Sequence, residues 1–289
     1  MSSSIHLIKA LRKKTDAAIK DCSKALSKSN NNMEEAEEIL RLQGMYSAKK
    51  RSSKPTKEGV VTMFSSGSRA VLIELCAETD FVCKNQKFLE LADLLAKAAY
   101  AFNCENTEDF LKNTSIEGVK TKDFIDQHIA TIGENIILKK IKTISVTPGH
   151  LHSYIHGKIN ANSGSIISVI GFKGAELDGT AQLARQIAMH VVASKPLALN
   201  VSDLCSSIVS KEKRVLRAQV EQEGKPSSIA DKIIEGRLNK FYENVVLMEQ
   251  VFVLDNKTKI KTLNSEIKDK YQNSLDNFIR LAVGEDSDE

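Results

Sequence analysis

Tryptophan is missing from this sequence and only four prolines occur in its 289 residues. The chain therefore has few rigid turns and reads as rich in helix. The five cysteines, Cys22, Cys76, Cys83, Cys104 and Cys205, are odd in number and widely spaced, without a Cys-x-x-Cys pair. That argues against a disulfide framework, and they read as reduced, mostly as small buried hydrophobes. No apolar run reaches the ~18 residues that a membrane-spanning helix needs, so no membrane span is expected. Met1-Ser2-Ser3-Ser4 leads directly into the periodic segment 5–11, which leaves no room for a signal peptide or an Arg-rich transit sequence. The expected location is the cytoplasm, with a mitochondrial or plastid matrix as the alternative. A strong charge of one sign is lacking too. The net +4 is too small to argue by itself for nucleic acid, whose readers carry a pronounced basic face.

Signatures of chemistry are equally scarce. No Gly-x-Gly-x-x-Gly occurs, and in the nearest approach to a P-loop, from Gly174 to Gly179, Thr180 stands where the phosphate-binding lysine must be. His150, His152 and His156 alternate so that a strand would put them on one side. No Cys or carboxylate lies close in sequence to complete a metal shell, so surface histidines are expected, the first of them in a loop after Pro148-Gly149. Neither a metal nor a cofactor is expected. Cys83 and His190 would make a nucleophile and base, but no local signature supports catalysis, and a strand-end and a helix-facing residue are the better reading. The basic set Lys9, Arg12, Lys13, Lys14 and Lys20 has no interleaved aromatics to stack bases. A solvated helix face or a protein-contacting patch is expected there, without direct nucleic-acid contact.

What is present has a clear order. With 42% hydrophobic and 27% charged residues the chain has material for two or three domains. Residues 1–50 read as three helices. Ile5, Ile8 and Leu11 stripe the first, Thr15 is placed to cap a second with Ile19, Cys22 and Leu26, and Asn32 with Glu35 has capping-box form for a third that Gly44 would end. Residues 51–57 read as a linker. Then the period changes. Segments 60–64 and 70–76 flank Ser65-Ser66-Gly67-Ser68 as a hairpin, followed by a helix with Phe88, Leu91, Ala92, Leu95, Ala99 and Phe102 on one side. The order recurs at 154–172 and in a helix at 179–193 carrying Leu183, Ile187, His190 and Val191. Gly59 and Gly157 would open the corresponding first strands, and 136–146 would be a linking strand. The reading is α+β: two duplicated subdomains at 58–140 and at 141–205 with 246–289. Residues 206–245 are charged and helix-favouring, with few apolar positions (Val215, Leu216, Ile229, Ile233, Phe241). They read as a projecting antiparallel helical hairpin arm. Segment 274–283 reads as a strand and 284–289 as an acidic fray.

One segment is unusual. Glu78-Thr79-Asp80-Phe81-Val82 sits between strand and helix, where a polar turn is expected, and offers an aromatic beside an acid. Either Asp80 caps the next turn while Phe81 folds back into the core, or Phe81 is an exposed tip of the kind that anchors in a partner's pocket.

Several motifs then appear in order. They are Leu11-Arg12-Lys13-Lys14-Thr15 and Asp21-Cys22-Ser23-Lys24-Ala25-Leu26, then Glu78-Thr79-Asp80-Phe81-Val82 with Asn85 and Phe88, then Gly133-Glu134-Asn135-Ile136. Tyr154-x-His156-Gly157, Ile187-Ala188-Met189-His190, Gly224-Lys225-Pro226, Glu235-Gly236-Arg237 with Phe241, and Leu247-x-Glu249-Gln250-x-Phe252-Val253 follow. In these the chain resembles the elongation factor Ts family nearly end to end. Asp16 stands where the family's opening motif has glycine, and Ile19-Lys20 where two hydrophobic residues are common. The arm favours the bacterial type over the animal mitochondrial one, which is shortened there.

The resemblance implies a ubiquitin-associated-like (UBA-like) three-helix domain, the two core subdomains and a coiled-coil arm. It implies a guanine nucleotide exchange factor that binds elongation factor Tu·GDP, disturbs its Mg²⁺/phosphate site and promotes GDP release, with no covalent catalysis. Thr79, Asp80, Phe81 and Val82 would form the Mg²⁺-dislocating contact. Arg12, Ile19 and Lys20 would hold another face of the GTPase domain, and His190 would meet a β-domain of Tu. Competing classes are an RNA binder, which would show a steep salt slope, an enzyme using Cys83 or His190, and a ubiquitin-binding adaptor built on the first domain alone.

Overall fold

The computed structural model describes residues 2–15, 17–175, 178–224 and 226–285. Asp16, Lys225 and most of the expected acidic end therefore lie outside the described residues. The chain opens with α1 (Ser2–Thr15), α2 (Ile19–Lys28) and α3 (Met33–Arg51). Leu11, Cys22, Ala25, Leu26 and Ala36 form their shared core. Asn32 starts α3 as its side chain predicts, accepting the backbone N–H groups of Glu34 and Glu35. Two other expectations fail. Thr15 does not cap α2: it ends α1 and donates its hydroxyl to the Leu11 carbonyl at 2.8 Å, while Ala18 precedes α2. Nor does Gly44 end α3, which runs on to Arg51 and into the expected linker. A Cβ on Gly44 would lie only 3.1 Å from the Ala130 Cβ. The glycine therefore lets two helices approach closely, and its lack of side chain serves packing instead of termination.

The middle of the chain runs β1 (Glu58–Ser66), β2 (Arg69–Ala77), α4 (Asp80–Cys83), α5 (Gln86–Ala101), α6 (Thr107–Asn113), β3 (Ser115–Ile116), β4 (Val119–Lys120), α7 (Thr121–Ile132) and β5 (Ile136–Ser145). β6 (Gly149–His156), β7 (Ser163–Gly164), β8 (Ile166–Lys173) and α8 (Asp178–Ser194) follow. The rest is α9 (Ser206–Gln222), α10 (Ser227–Val245), α11 (Ile260–Tyr271) and β9 (Ser274–Ala282). Among the described residues three antiparallel sheets result, two larger ones ordered β5-β2-β1-β7 and β6-β8-β9 and the short pair β3-β4.

Side-chain alternation assigns each sheet face. On β2, Val71, Ile73 and Leu75 join Phe88, Leu91, Ala92 and Leu95 of α5 in one core. Ala70 and Leu72 point the other way and meet Ile167 and Val169 of β8 with Leu281 of β9. On the far side of β8, Ile170 and Phe172 pack on Ile187 and Val191 of α8. The order is helix, sheet, sheet, helix. Strands covered on both faces need near-continuous apolar sequence, which 70–73 and 166–172 supply. The two halves also share hydrogen bonds, since β7 pairs with β1 and Thr62 Oγ1 lies 2.8 Å from Ser163 Oγ. Gly157 does not open a strand: it follows β6 with φ +60°, and a Cβ there would collide with the Ser165 hydroxyl. Gly149 opens β6 instead. Phe102 lies just past α5 and is exposed, outside the stripe it was expected to extend.

α9 and α10 pack on each other through a narrow seam. Leu216, Val220 and Leu238 are its buried residues, whereas Val215 and Ile229 are exposed. Arg237 clamps the Glu223 carboxylate with two bonds of 2.8 Å. At the base, Val209, Phe241, Tyr242 and Val245 close over Ala198, Leu204 and Val246. Among the described residues no helix is long and apolar enough to cross a membrane.

The end of β9 is fixed by charge. Glu74, fully buried on β2, accepts the Gly284 N–H at 2.9 Å and has Lys140 Nζ 3.8 Å away. Glu285 pairs with Arg280 and with Lys195, the latter at 2.9 Å. The Arg280 hydrogen bonds, helped by Lys195, hold the Glu285 carboxyl down from its ordinary 4.5 to about 2.

Two outcomes follow from this packing. Gly44→Leu should cost about 1–3 kcal/mol in equilibrium denaturation, because it forces α3 from α7. Gly44→Ala should stay near neutral, since about 1 kcal/mol of helix propensity offsets the tight contact. A carboxyl whose folded value is depressed contributes stability that is complete above its unfolded value and disappears as the pH falls through its folded one. Thermal unfolding followed from pH 4.5 toward 2 should therefore show a shallower acid decline for Glu285→Gln than for the parent chain.

Candidate partner-binding site

β2 ends at Ala77, and the chain must turn before α5 begins at Gln86. Thr79 makes that turn. Its backbone is extended (φ −128°, ψ 155°), and its hydroxyl accepts the Val82 N–H at 3.4 Å as the cap of α4. Asp80 is thus the first helical residue, not the cap, and its Oδ2 meets Lys84 Nζ at 2.8 Å. That bond to Lys84 lowers its pKa. In a single turn with about 100° per residue, positions two apart face nearly opposite ways. Cys83 is buried and Val82 packs on the first core, so Phe81 is turned out, 81% exposed. Leaving such a ring in water forgoes about 1.5–3 kcal/mol of burial. Nothing in this chain's own packing covers the ring among the described residues. Of the two readings of this segment, the exposed tip is the one observed.

The tip is braced from a distance. The carboxylate of Glu134, in the turn between α7 and β5, accepts the Thr79 N–H at 3.0 Å and the Thr79 hydroxyl at 2.7 Å. In return Glu78 Oε1 accepts the Asn135 N–H at 2.7 Å. Lys54 Nζ lies 2.9 Å from Glu78 Oε2, and Arg51, the last residue of α3, is 3.7 Å from Oε1. Burial pushes the Glu78 carboxyl up, but the Asn135 N–H and Lys54 together outweigh it, and the net shift is downward.

The other expected residues fall elsewhere. Arg12 is exposed on α1, and Ile19 and Lys20 on α2, with Ile19 at 57% exposure. Among the described residues, no hydrogen bond or ion pair joins them to the tip. His190 is a correction: it is fully buried and offers no surface to a partner. Its Nε2–H donates to Gln250 Oε1 at 2.9 Å, while Nδ1 accepts the Val253 N–H at 3.3 Å. Burial lowers its pKa and favours this neutral form. Gln250 continues to the carbonyls of Ser194 and Asn244, so His190 ties α8 and the end of α10 to the segment carrying exposed Val251 and Leu254.

Of the histidines of β6, His156 is exposed as expected, and His150 differs. His150 is in the strand, buried and stacked on Phe172, and bonds Asn273 Oδ1 at 3.0 Å and His152 Nε2 at 2.9 Å. Among the described residues no group of three His, Cys, Asp or Glu is arranged to hold a metal ion. Cys83 and His190 sit in different cores and make no dyad. Burial, with Glu58 and Glu134 nearby, pushes the Cys83 thiol up to about 12, far from a ready thiolate.

The sequence profile described as Elongation factor TS matches residues 78–285, beginning at the first residue of the braced tip. Curated relatives called Elongation factor Ts align along nearly the full length. That of Ehrlichia chaffeensis (strain ATCC CRL-10679 / Arkansas) is 40% identical over 97% of this chain and 96% of its own. That of Anaplasma phagocytophilum (strain HZ) is 39% identical over 98% of each, and that of Rickettsia bellii (strain OSU 85-389) 34% identical over 96% of this chain and 91% of its own. With the profile spanning residues 78–285 and relatives 34–40% identical along nearly the whole chain, the chain belongs to the elongation factor Ts family of translation elongation factors.

Proposed function

We propose that this protein is a guanine nucleotide exchange factor for elongation factor Tu, acting through binding alone. The observation that carries the reading is Phe81, an aromatic ring held outward on a braced turn. The thermodynamics is linkage: a factor that binds nucleotide-free Tu better than Tu·GDP weakens GDP binding by the same ratio. Phe81 inserts between helices of the GTPase domain, with anionic Asp80 alongside and Thr79 and Val82 flanking. The insertion shifts the elements that hold Mg²⁺ and phosphate, GDP leaves, and GTP then displaces the factor. Burying one phenylalanine side chain contributes about 1.5–3 kcal/mol, which converts to roughly ten- to hundredfold in affinity ratio. Faster exchange draws on the remaining interface.

In this reading the first three helices act as a UBA-like domain whose exposed Arg12, Ile19 and Lys20 hold a second face of the GTPase domain. Residues 58–140 and 141–205 with 246–285 act as paired core subdomains. The second meets another domain of Tu through exposed residues such as Val251 and Leu254, with His190 supporting that segment from inside. α9 and α10 serve as a projecting coiled-coil arm, and the cytoplasm is the site of action. No residue of this chain performs covalent chemistry.

The test mixes the purified chain with Tu preloaded with fluorescent GDP in a stopped-flow instrument. The parent chain should accelerate loss of signal. Phe81→Ala should slow that loss roughly ten- to hundredfold, while its unfolding free energy stays within about 0.5 kcal/mol, as for an exposed residue. An unchanged release rate with Phe81→Ala would refute the insertion.

A further inference from the structure

We propose that Glu134 is a positioning residue for nucleotide release, setting the direction in which Phe81 projects. The proposal rests on reading Phe81 as the element inserted into elongation factor Tu, and goes beyond it by naming what holds the ring in place. α4 has only four residues, and a single helical turn has no stability of its own. Its N-terminal end depends on Thr79, and Thr79 depends on Glu134. Both Thr79 donors are committed to the one carboxylate, the N–H to Oε2 at 3.0 Å and the hydroxyl to Oε1 at 2.7 Å.

With its proton directed at Glu134, the hydroxyl has its lone pairs free for the Val82 N–H, which it accepts at 3.4 Å. A donated bond to an anion also polarises the hydroxyl oxygen and makes it a better acceptor. The relay therefore runs from the Glu134 carboxylate through the Thr79 hydroxyl to the first turn of α4, one residue from Phe81. Gly133, the left-handed end of α7 at φ +89°, turns the chain so that Glu134 faces the tip. The return bond from Asn135 N–H to Glu78 prevents the two segments from sliding past each other. Glu134 itself is half-buried and acts through Thr79.

Glu134→Gln keeps the size but places an amide against donors, and Glu134→Ala removes the acceptor. Saturating concentrations of each variant should release GDP from Tu roughly ten- to hundredfold more slowly than the parent, as expected for losing bonds to a charged acceptor. Amide hydrogen exchange at residues 80–83 should rise, with the global unfolding transition nearly unmoved. A residue acting through Phe81 has nothing left to act on once the ring is gone. Combined with Phe81→Ala, neither Glu134 variant should slow release further. If the Glu134 variants match the parent rate, or slow the Phe81→Ala protein by the same factor as the parent, the positioning role is overturned. So it is if exchange at 80–83 does not change. Should Phe81→Ala itself leave release unchanged, insertion falls and this role with it. A slow Phe81→Ala protein beside fast Glu134 variants removes only Glu134.

Discussion

Two sheets packed face to face, each with helices on its outer side, set the conditions for everything else in this protein. β2 and β8 lie at the centre of that stack, and nearly every residue from Ala70 to Ala77 and from Ile167 to Phe172 is buried. A strand enclosed on both faces displays nothing along its length. Only its ends reach solvent, so a side chain offered to the outside must sit where the strand gives way to the next element. The segment after β2 is such a place, and the exposed ring is there. The same enclosure explains the charged fastening at the far end of the stack. Glu74 is fully buried on β2: its Oε1 accepts the Gly284 N–H, while its Oε2 makes no hydrogen bond and has Lys140 Nζ 3.8 Å away as its counter-charge.

The stack was legible in the sequence because its signals are local and mutually consistent. The hairpin around Gly67, the apolar stripe of α5 and the helix carrying Ile187 and Val191 follow from period alone. The failures came where a distant contact overrode a local preference. Gly44 looks like a terminator, yet its neighbour is Ala130 on another helix. Thr15 looks like a cap, yet its hydroxyl turns back to Leu11. In the helical pair the adjacent Val215 and Leu216 are alike in sequence, and only Leu216 is buried. α11 carries Ile260, Leu263 and Ile267 at helical spacing, but five charged residues among twelve leave that stripe thin.

The candidate site divides the same way. Phe81 beside Asp80 stands out on composition, because an aromatic is misplaced in a polar turn. The Thr79–Glu134 bonds join residues 55 apart in sequence, and nothing local at either end announces the other. His190 shows the limit of carrying a role over by position. Its placement on the packed face of α8 already argued for burial, and the imidazole is fully enclosed. The surface of that region is offered instead by Val251 and Leu254, which are exposed.

An exchange factor that works by insertion must be stiffer than the pocket it opens. If the tip yields first, the ring is accommodated by bending α4 and no free energy reaches the nucleotide. A one-turn helix is a poor lever unless its bonds are supplied from outside. Here they come from three sides: Thr79 gripped by Glu134, Cys83 buried in the core beneath, and Asn85 capping α5 directly after at 2.9 Å. Glu78 adds a fourth connection, through Lys54 and Arg51, to the end of α3. Movement of the first three helices is in that way opposed by the same carboxylate that fixes the joint below the tip. The rigidity lies in the bonds of Thr79 and Glu78 to the 134–135 turn and in the buried Cys83, not in the ring, which leaves Phe81 apolar, exposed and unconstrained by packing.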